Sequence, residues 1–292
     1  MLSGWRAKLL LGTGGLVAGL CLAEMGVRAM APHAAADLLY NAPDNAPDGL
    51  FTTDRSVYSV PTPGFEATQH SLGYRVHLRI DENGLRGAAP GVKTQPRWLA
   101  LGDSFTMAAQ VDETDTFAAR LGQQMGWQVL NGGVDGYGTW QALGRYMALA
   151  PSLDLDGVLL VFFAGNDLMD NERWPQVRAQ AARQPAGRPL ARPPIHPLHG
   201  WLYKRSVLYA RYQMFRRAQE LSDSNAPEHH RWISELRPFT SEGGGVLGVM
   251  LQQSRPALRA MADAVAKNGH RLVVAVAPPA FQIEEERLAA TF

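Results

Sequence analysis

The chain has 292 residues, 46% of them hydrophobic and 19% charged, with a formal net charge of +1. That length and apolar share suit one or two domains with a sizeable core, and the near-neutral balance gives no global field for nucleic acid. Cys21 is the only cysteine, which excludes a disulfide within the chain.

At the N-terminus, Arg6 and Lys8 precede an apolar run from Leu9 to Ala23, closed by Glu24 and Arg28. Fifteen helical residues span roughly 22 Å at ~1.5 Å each, against a hydrocarbon core of ~30 Å. Tilt and the continuation "MGVRAM" supply the difference. Residues 1–31 therefore read as an uncleaved signal anchor, or as a signal peptide with an A-x-A-like site at Ala29-Met30-Ala31. In both readings the basic flank stays inside and the rest crosses the membrane. The expected location is the periplasm or cell surface, membrane-anchored through the N-terminal helix, or secreted after cleavage. Residues 32–65, rich in Pro, Ala, Asp and Asn without a period, read as a tether.

From residue 66 to 292 the pattern is that of one α/β domain. Tyr74–Ile80 alternates apolar and polar, a half-buried strand. Arg97–Leu101 is a short buried strand. Asp115–Met125 is helical, with Phe117, Leu121 and Met125 four apart. Trp127–Asn131 is a second strand, Thr139–Ala150 a helix with Thr139 as its N-cap, and Gly157–Phe163 a strand apolar on both faces. Pro256–Lys267 is a helix with Pro in its first turn, and Arg271–Ala277 is another buried strand. Strands alternating with helices predict a doubly wound parallel sheet. The order breaks at about 171–245, an expected insertion. Between Arg173 and Gln219 it carries ten Lys or Arg and no Asp or Glu. That is either a solvated basic face or a patch for acidic glycans or anionic lipid heads.

Ligands of open α/β sheets sit outside the C-terminal strand ends. Here the first strand is followed by Gly102, Asp103 and Ser104, the second by Asn131, Gly132, Gly133, Asp135 and Gly136, and the third by Ala164, Gly165, Asn166 and Asp167. Each alone is turn chemistry; together on one edge they form a constellation. Ser104 at a strand-to-helix turn suits a nucleophile. Its own N–H, the Gly136 N–H and the Asn166 amide suit an oxyanion hole for acyl transfer. The G-x-S-x-G elbow is not met, because Thr106 holds the last glycine position.

The blocks "GDSFT", "NGGVDGYGT" and "AGND", led by "NGLRG", resemble in order and spacing the first three blocks of the SGNH (GDSL-type) hydrolases. The resemblance covers Tyr74 to Leu168, and Val246 to Pro279 more loosely. It implies a flavodoxin-like three-layer fold and a serine esterase or deacylase of a small-molecule or glycan ester, needing neither metal nor cofactor. It assigns Ser104 as nucleophile, Ser104, Gly136 and Asn166 as oxyanion donors, and Asp103 and Asp167 as loop-orienting residues. Ala164 departs from the family's glycine. The family's Asp-x-x-His block, which supplies the base, is not found before Phe292. None of His33, His77, His196, His199, His229, His230 or His270 holds its position, so the fifth strand and the base are expected beyond residue 292. An O-acyltransferase with the same site and a non-catalytic glycan- or acyl-binding module are the alternatives. A nucleotide-binding reading fails because "NGGVDGYG" lacks the G-x-G-x-x-G spacing.

Overall fold

The computed structural model describes residues 4–30, 47–70, 75–190, 197–222 and 244–278. Residues 32–46 of the expected tether, with His33, and also His196, His229, His230 and the tail after 278 lie outside the described residues. The chain divides into two compact units, one of residues 1–45, 70–75 and 193–229, the other of residues 46–69, 76–192 and 230–292.

In the first unit the apolar N-terminus forms one helix, α1 (Gly4–Met30). Its stretch from Lys8 to Met30 is long and apolar enough to cross a membrane, and none of it is buried. Two later helices belong to the same unit, α6 (Pro197–Arg205) and α7 (Val207–Ser222), with numbering in chain order through both units.

The second unit opens with a hairpin of β1 (Phe51–Asp54) and β2 (Tyr58–Pro61), paired antiparallel. These strands lie inside the 32–65 stretch expected as a tether, where the sequence shows no period. The Asp54 carboxylate accepts the N–H groups of Ser56 (2.7 Å) and Val57 (3.0 Å), closing an Asx turn. Leu50 packs with Leu78, Ile80 and Met107, and Val57 with Val134 and Tyr137. Those partners are distant in sequence, so the short strands carry no local period to read. Next, β3 (Glu66–His70) and β4 (Arg75–Arg79) form a second two-stranded sheet. Val76 and Leu78 are buried and Arg75, His77 and Arg79 exposed, the expected alternation.

The central sheet holds β5 (Arg97–Leu101), β6 (Gln128–Asn131), β7 (Gly157–Phe163) and β8 (Arg271–Ala277) in the order β6-β5-β7-β8, all parallel. The fold is thus α/β with a parallel sheet, as the strand–helix alternation predicts. Chain order reverses direction between β5 and β7, making their C-terminal ends the switch point. The helices of this unit are α2 (Ser104–Met107), α3 (Phe117–Met125), α4 (Thr139–Leu153), α5 (Asp167–Arg183) and α8 (Gly244–Lys267).

On one face of the sheet, Leu99, Leu101, Val158 and Leu160 meet Tyr146, Leu149 and Leu153 of α4 and Met261 and Val265 of α8. The other face carries Trp98, Leu159, Val161 and Val273 beneath Phe117, Leu121 and Met125 of α3, with a groove of ≈ 820 Å³ between them.

Among the boundaries that differ from the sequence expectation, three bear on how the elements pack. Gly138, not Thr139, is the N-cap of α4. Helix α8 starts at Gly244, so Pro256 lies inside it; Met250, packed on Phe162, Leu168 and Met169, and Ser254, bonded to Asn171, hold the added turns. The expected insertion (171–245) begins inside α5, and residues 193–229 group with α1.

Candidate active site

The turn after β5 is built by close packing. A Cβ on Gly102 would meet Thr106 Oγ1 at 2.3 Å and the Val161 carbonyl at 2.7 Å, so glycine alone fits. Thr106 is fully buried there and fills the space that an elbow glycine would leave empty. Asp103 caps α2, its carboxylate accepting the Phe105 N–H at 2.9 Å. Ser104 is the first helical residue and half-buried. The cap at this strand end is therefore Asp103 and not the serine.

The turn after β6 is locked to the same helix. Asn131 donates through Nδ2 to the Thr106 carbonyl (2.8 Å) and accepts the Gly133 N–H (3.1 Å). Gly132 N–H bonds Ala100 O (2.8 Å) and Val134 N–H bonds Gly102 O (3.0 Å). A Cβ on Gly133 would meet Met107 N at 2.4 Å, so this glycine serves packing. Gly136 differs. Its φ is +74° and a Cβ there would meet nothing within 4 Å. It is exposed, beside a cavity of ≈ 310 Å³ lined by Tyr58, Ser59, Tyr137, Val177 and Leu190.

After β7, Ala164 N–H bonds the Ala277 carbonyl (2.9 Å), so the alanine that departs from the family's glycine sits in a paired backbone position. Asn166 is the half-buried N-cap residue of α5, and its side-chain amide donates toward the Asp103 carboxylate. Asp167 is buried, and its Oδ2 accepts the Phe163 N–H at 3.0 Å. Burial, then the neighbouring Asp103, raises the Asp167 carboxyl to about 9. Burial raises Asp103 too, against the Phe105 amide and Asn166 that favour its charged form. The fold thus brings Asp103, Asn166 and Asp167 together across the switch point. It sets Ser104 beside them in sequence and Gly136 on the loop that follows the neighbouring strand.

Three features escaped the sequence reading. The buried Arg86 guanidinium donates to the carbonyls of Met107 (2.6 Å), Ala108 (2.5 Å) and Val111, pinning the segment that follows Ser104; its only sequence signal is its place in "NGLRG". Asn171 accepts the Thr139 N–H (2.9 Å) and donates to Thr139 Oγ1 (3.1 Å) and Ser254 Oγ (3.2 Å), tying α4, α5 and α8. The cavity beside Gly136 was hidden because its wall comes from the hairpin residues Val57, Tyr58 and Ser59.

Three histidine side chains of the sequence reading are described, and each is bonded elsewhere. His77 pairs with Glu66 (2.8 Å), His199 with the Tyr209 hydroxyl (2.6 Å) and His270 with the Tyr146 hydroxyl (2.8 Å). His270 also precedes β8, at the opposite end of the strand from the site. Among the described residues, no group of three or more His, Cys, Asp or Glu is placed to hold a metal.

No family model matches the chain, and no curated protein matches it. Among solved structures it is similar to AlinE4, described as an SGNH-hydrolase family esterase, at 22% identity and a TM-score of 0.24. It is similar also to two single-residue variants of that esterase, at 21% and 20% identity and a TM-score of 0.25 each. Each match covers 32% of this chain and 53% of the other, so the chain spans about half the length of the structures it matches.

Proposed function

We propose that the chain carries the nucleophile and oxyanion hole of a serine hydrolase acting on ester bonds. Ser104 Oγ attacks the ester carbonyl, the ester C–O bond breaks and the alcohol leaves with the serine's proton. Water then cleaves the acyl-enzyme to release the acid and restore the Ser104 hydroxyl. The Ser104 N–H, the Gly136 N–H and the Asn166 amide stabilise the oxyanion. Asp103 orients Asn166 and caps α2, and Asp167 holds the turn after β7. The cavity beside Gly136 receives the part of the substrate next to the carbonyl. The general base that accepts the Ser104 proton is supplied from outside the described residues. With α1 as a membrane anchor, the substrate is an O-acylated glycan or lipid of the cell envelope.

One observation carries this reading. Three short polar blocks end three adjacent parallel strands on one edge, at the switch point, and Asp103 makes the helix cap that would otherwise explain Ser104. The test is turnover of a short acyl ester by the full-length protein in membranes. Ser104→Ala is expected to abolish turnover with an unchanged melting temperature. Asn166→Ala is expected to lower kcat on the order of 100- to 1,000-fold, the cost of one oxyanion donor. Undiminished turnover by Ser104→Ala overturns the reading.

A further inference from the structure

The unit that contains α1 has a second apolar feature, apart from the strand-end site. Leu198, Trp201 and Arg205 lie on one face of α6 at helical spacing, and Leu198 and Trp201 are 57% and 53% exposed. The Arg205 guanidinium stacks over Trp201, 5.6 Å from the ring centroid. On α7, Tyr212 and Phe215 are 54% and 62% exposed, flanked by exposed Arg211 and Arg216, while Val207 and Ala210 are buried. From Pro197 to Gln219 the sequence carries Lys204, Arg205, Arg211, Arg216 and Arg217 and no Asp or Glu.

This pair of helices is fixed to the end of α1. The Glu24 carboxylate accepts Ser206 Oγ–H (2.8 Å) and the N–H groups of Val207 (2.9 Å) and Leu208 (3.0 Å), and so caps the start of α7. Arg28 donates to Glu24 (2.6 Å) and to the Arg205 carbonyl (2.5 Å). Glu24 lies sixteen residues beyond Lys8, roughly 24 Å along the axis at ~1.5 Å per residue. With Lys8 at one boundary of a ~30 Å hydrocarbon core, Glu24 stands roughly 6 Å short of the other boundary, one turn before it. A carboxylate at that depth is costly unless paired, and here four donors meet it.

We propose that α6 and α7 form an interfacial docking surface for anionic phospholipid headgroups, on the leaflet where α1 emerges. Aromatic side chains with polar edges favour the headgroup level. Arginines snorkel from an apolar stem to phosphate, and a basic face gains affinity from anionic lipid. The occupant is a lipid surface and not a protein, because both helices carry the same pairing of exposed apolar and basic groups and the Glu24 cap holds them beside the last turns of α1, within roughly 6 Å of the headgroup boundary. The inference rests on α1 spanning the membrane and is independent of the hydrolase reading.

The test uses the full-length protein reconstituted in vesicles, with an environment-sensitive fluorophore on one cysteine at a time. Native Cys21 reports on α1; Phe215→Cys and the solvent control Val92→Cys are made with Cys21→Ser. Residues 215 and 92 are exposed, so neither label disturbs a core. Bromine-labelled lipid acyl chains are the quencher. In vesicles of equal parts phosphatidylglycerol and phosphatidylcholine, labels at 21 and 215 are expected to be quenched and the label at 92 not. Arg211→Gln with Arg216→Gln is expected to lower the docked-to-free ratio at 215 on the order of tenfold or more, as is pure phosphatidylcholine. Quenching at 21 without quenching at 215 overturns the docking surface while leaving the anchor. No quenching at 21 removes the anchor and the proposal with it. Equal quenching at 215 in both lipids, unmoved by the two glutamines, overturns the recognition of anionic headgroups.

Discussion

Asp103 and Asp167 end adjacent strands, and both carboxyls are buried, at 0% and 2% exposure. Burial raises both, Asp167 to about 9, with the charge of Asp103 as its second cause. The sign follows from proton counts. The native chain keeps the Asp167 proton through neutral pH, while the unfolded chain releases it near ~4. The native state therefore binds more protons between about 4 and 9, and stability falls as pH rises through that window. Asp167→Asn keeps an acceptor oxygen for the Phe163 N–H and carries no charge. Its melting temperature is expected to fall less between pH 5 and pH 8 than that of the wild type. Equal falls would show that Asp167 ionises freely in the folded state. At this scale the sequence was informative about which residues end the strands, because Gly, Asn, Asp and Ser there are adjacent in the chain. It was silent on Asn171 and on the grip of Arg86, whose partners lie more than twenty residues away.

The strands β5, β7 and β8 coincide with the apolar runs that announce them, since each run is bounded by residues that break a ladder. Helix α3 starts at Phe117 because Thr116 caps it, accepting the Ala119 N–H at 3.2 Å. The β1–β2 hairpin was not legible, since its stability comes from Leu78, Met107, Val134 and Tyr137 and not from its own four-residue strands. The turn after β6 shows two uses of glycine within four residues. Gly133 lies against α2 and Gly136 faces open space. Gly133→Ala is therefore expected to destabilise the fold by about 1–3 kcal/mol through overpacking against Met107 and Thr106. Chemical denaturation checks this, and a loss below about 0.5 kcal/mol would mean that the turn and α2 separate readily.

At the scale of the whole molecule, the strand–helix pattern indicates one α/β domain interrupted by an insertion, and the contacts draw two units. The tie that assigns α7 to α1 joins Glu24 to Ser206 across 182 residues, which no local pattern discloses. The long apolar N-terminal helix was legible, because a basic flank and an apolar run need no tertiary context. The helix continues through "MGVRAM" to Met30, as that continuation suggests, and the 23 residues from Lys8 span roughly 34 Å at ~1.5 Å each, enough for a ~30 Å core. With Arg6 and Lys8 held on the cytoplasmic side, everything after Met30 is expected on the far side of the membrane. Gly64 follows the first hairpin, so a reporter fused there keeps the whole of α1 and its basic flank. A reporter that folds only after export is expected to be active at that position, and one that folds only in the cytoplasm to be silent. The reverse pair of results would place the Ser104 site with the cytoplasm, and an O-acylated envelope ester would then be out of its reach.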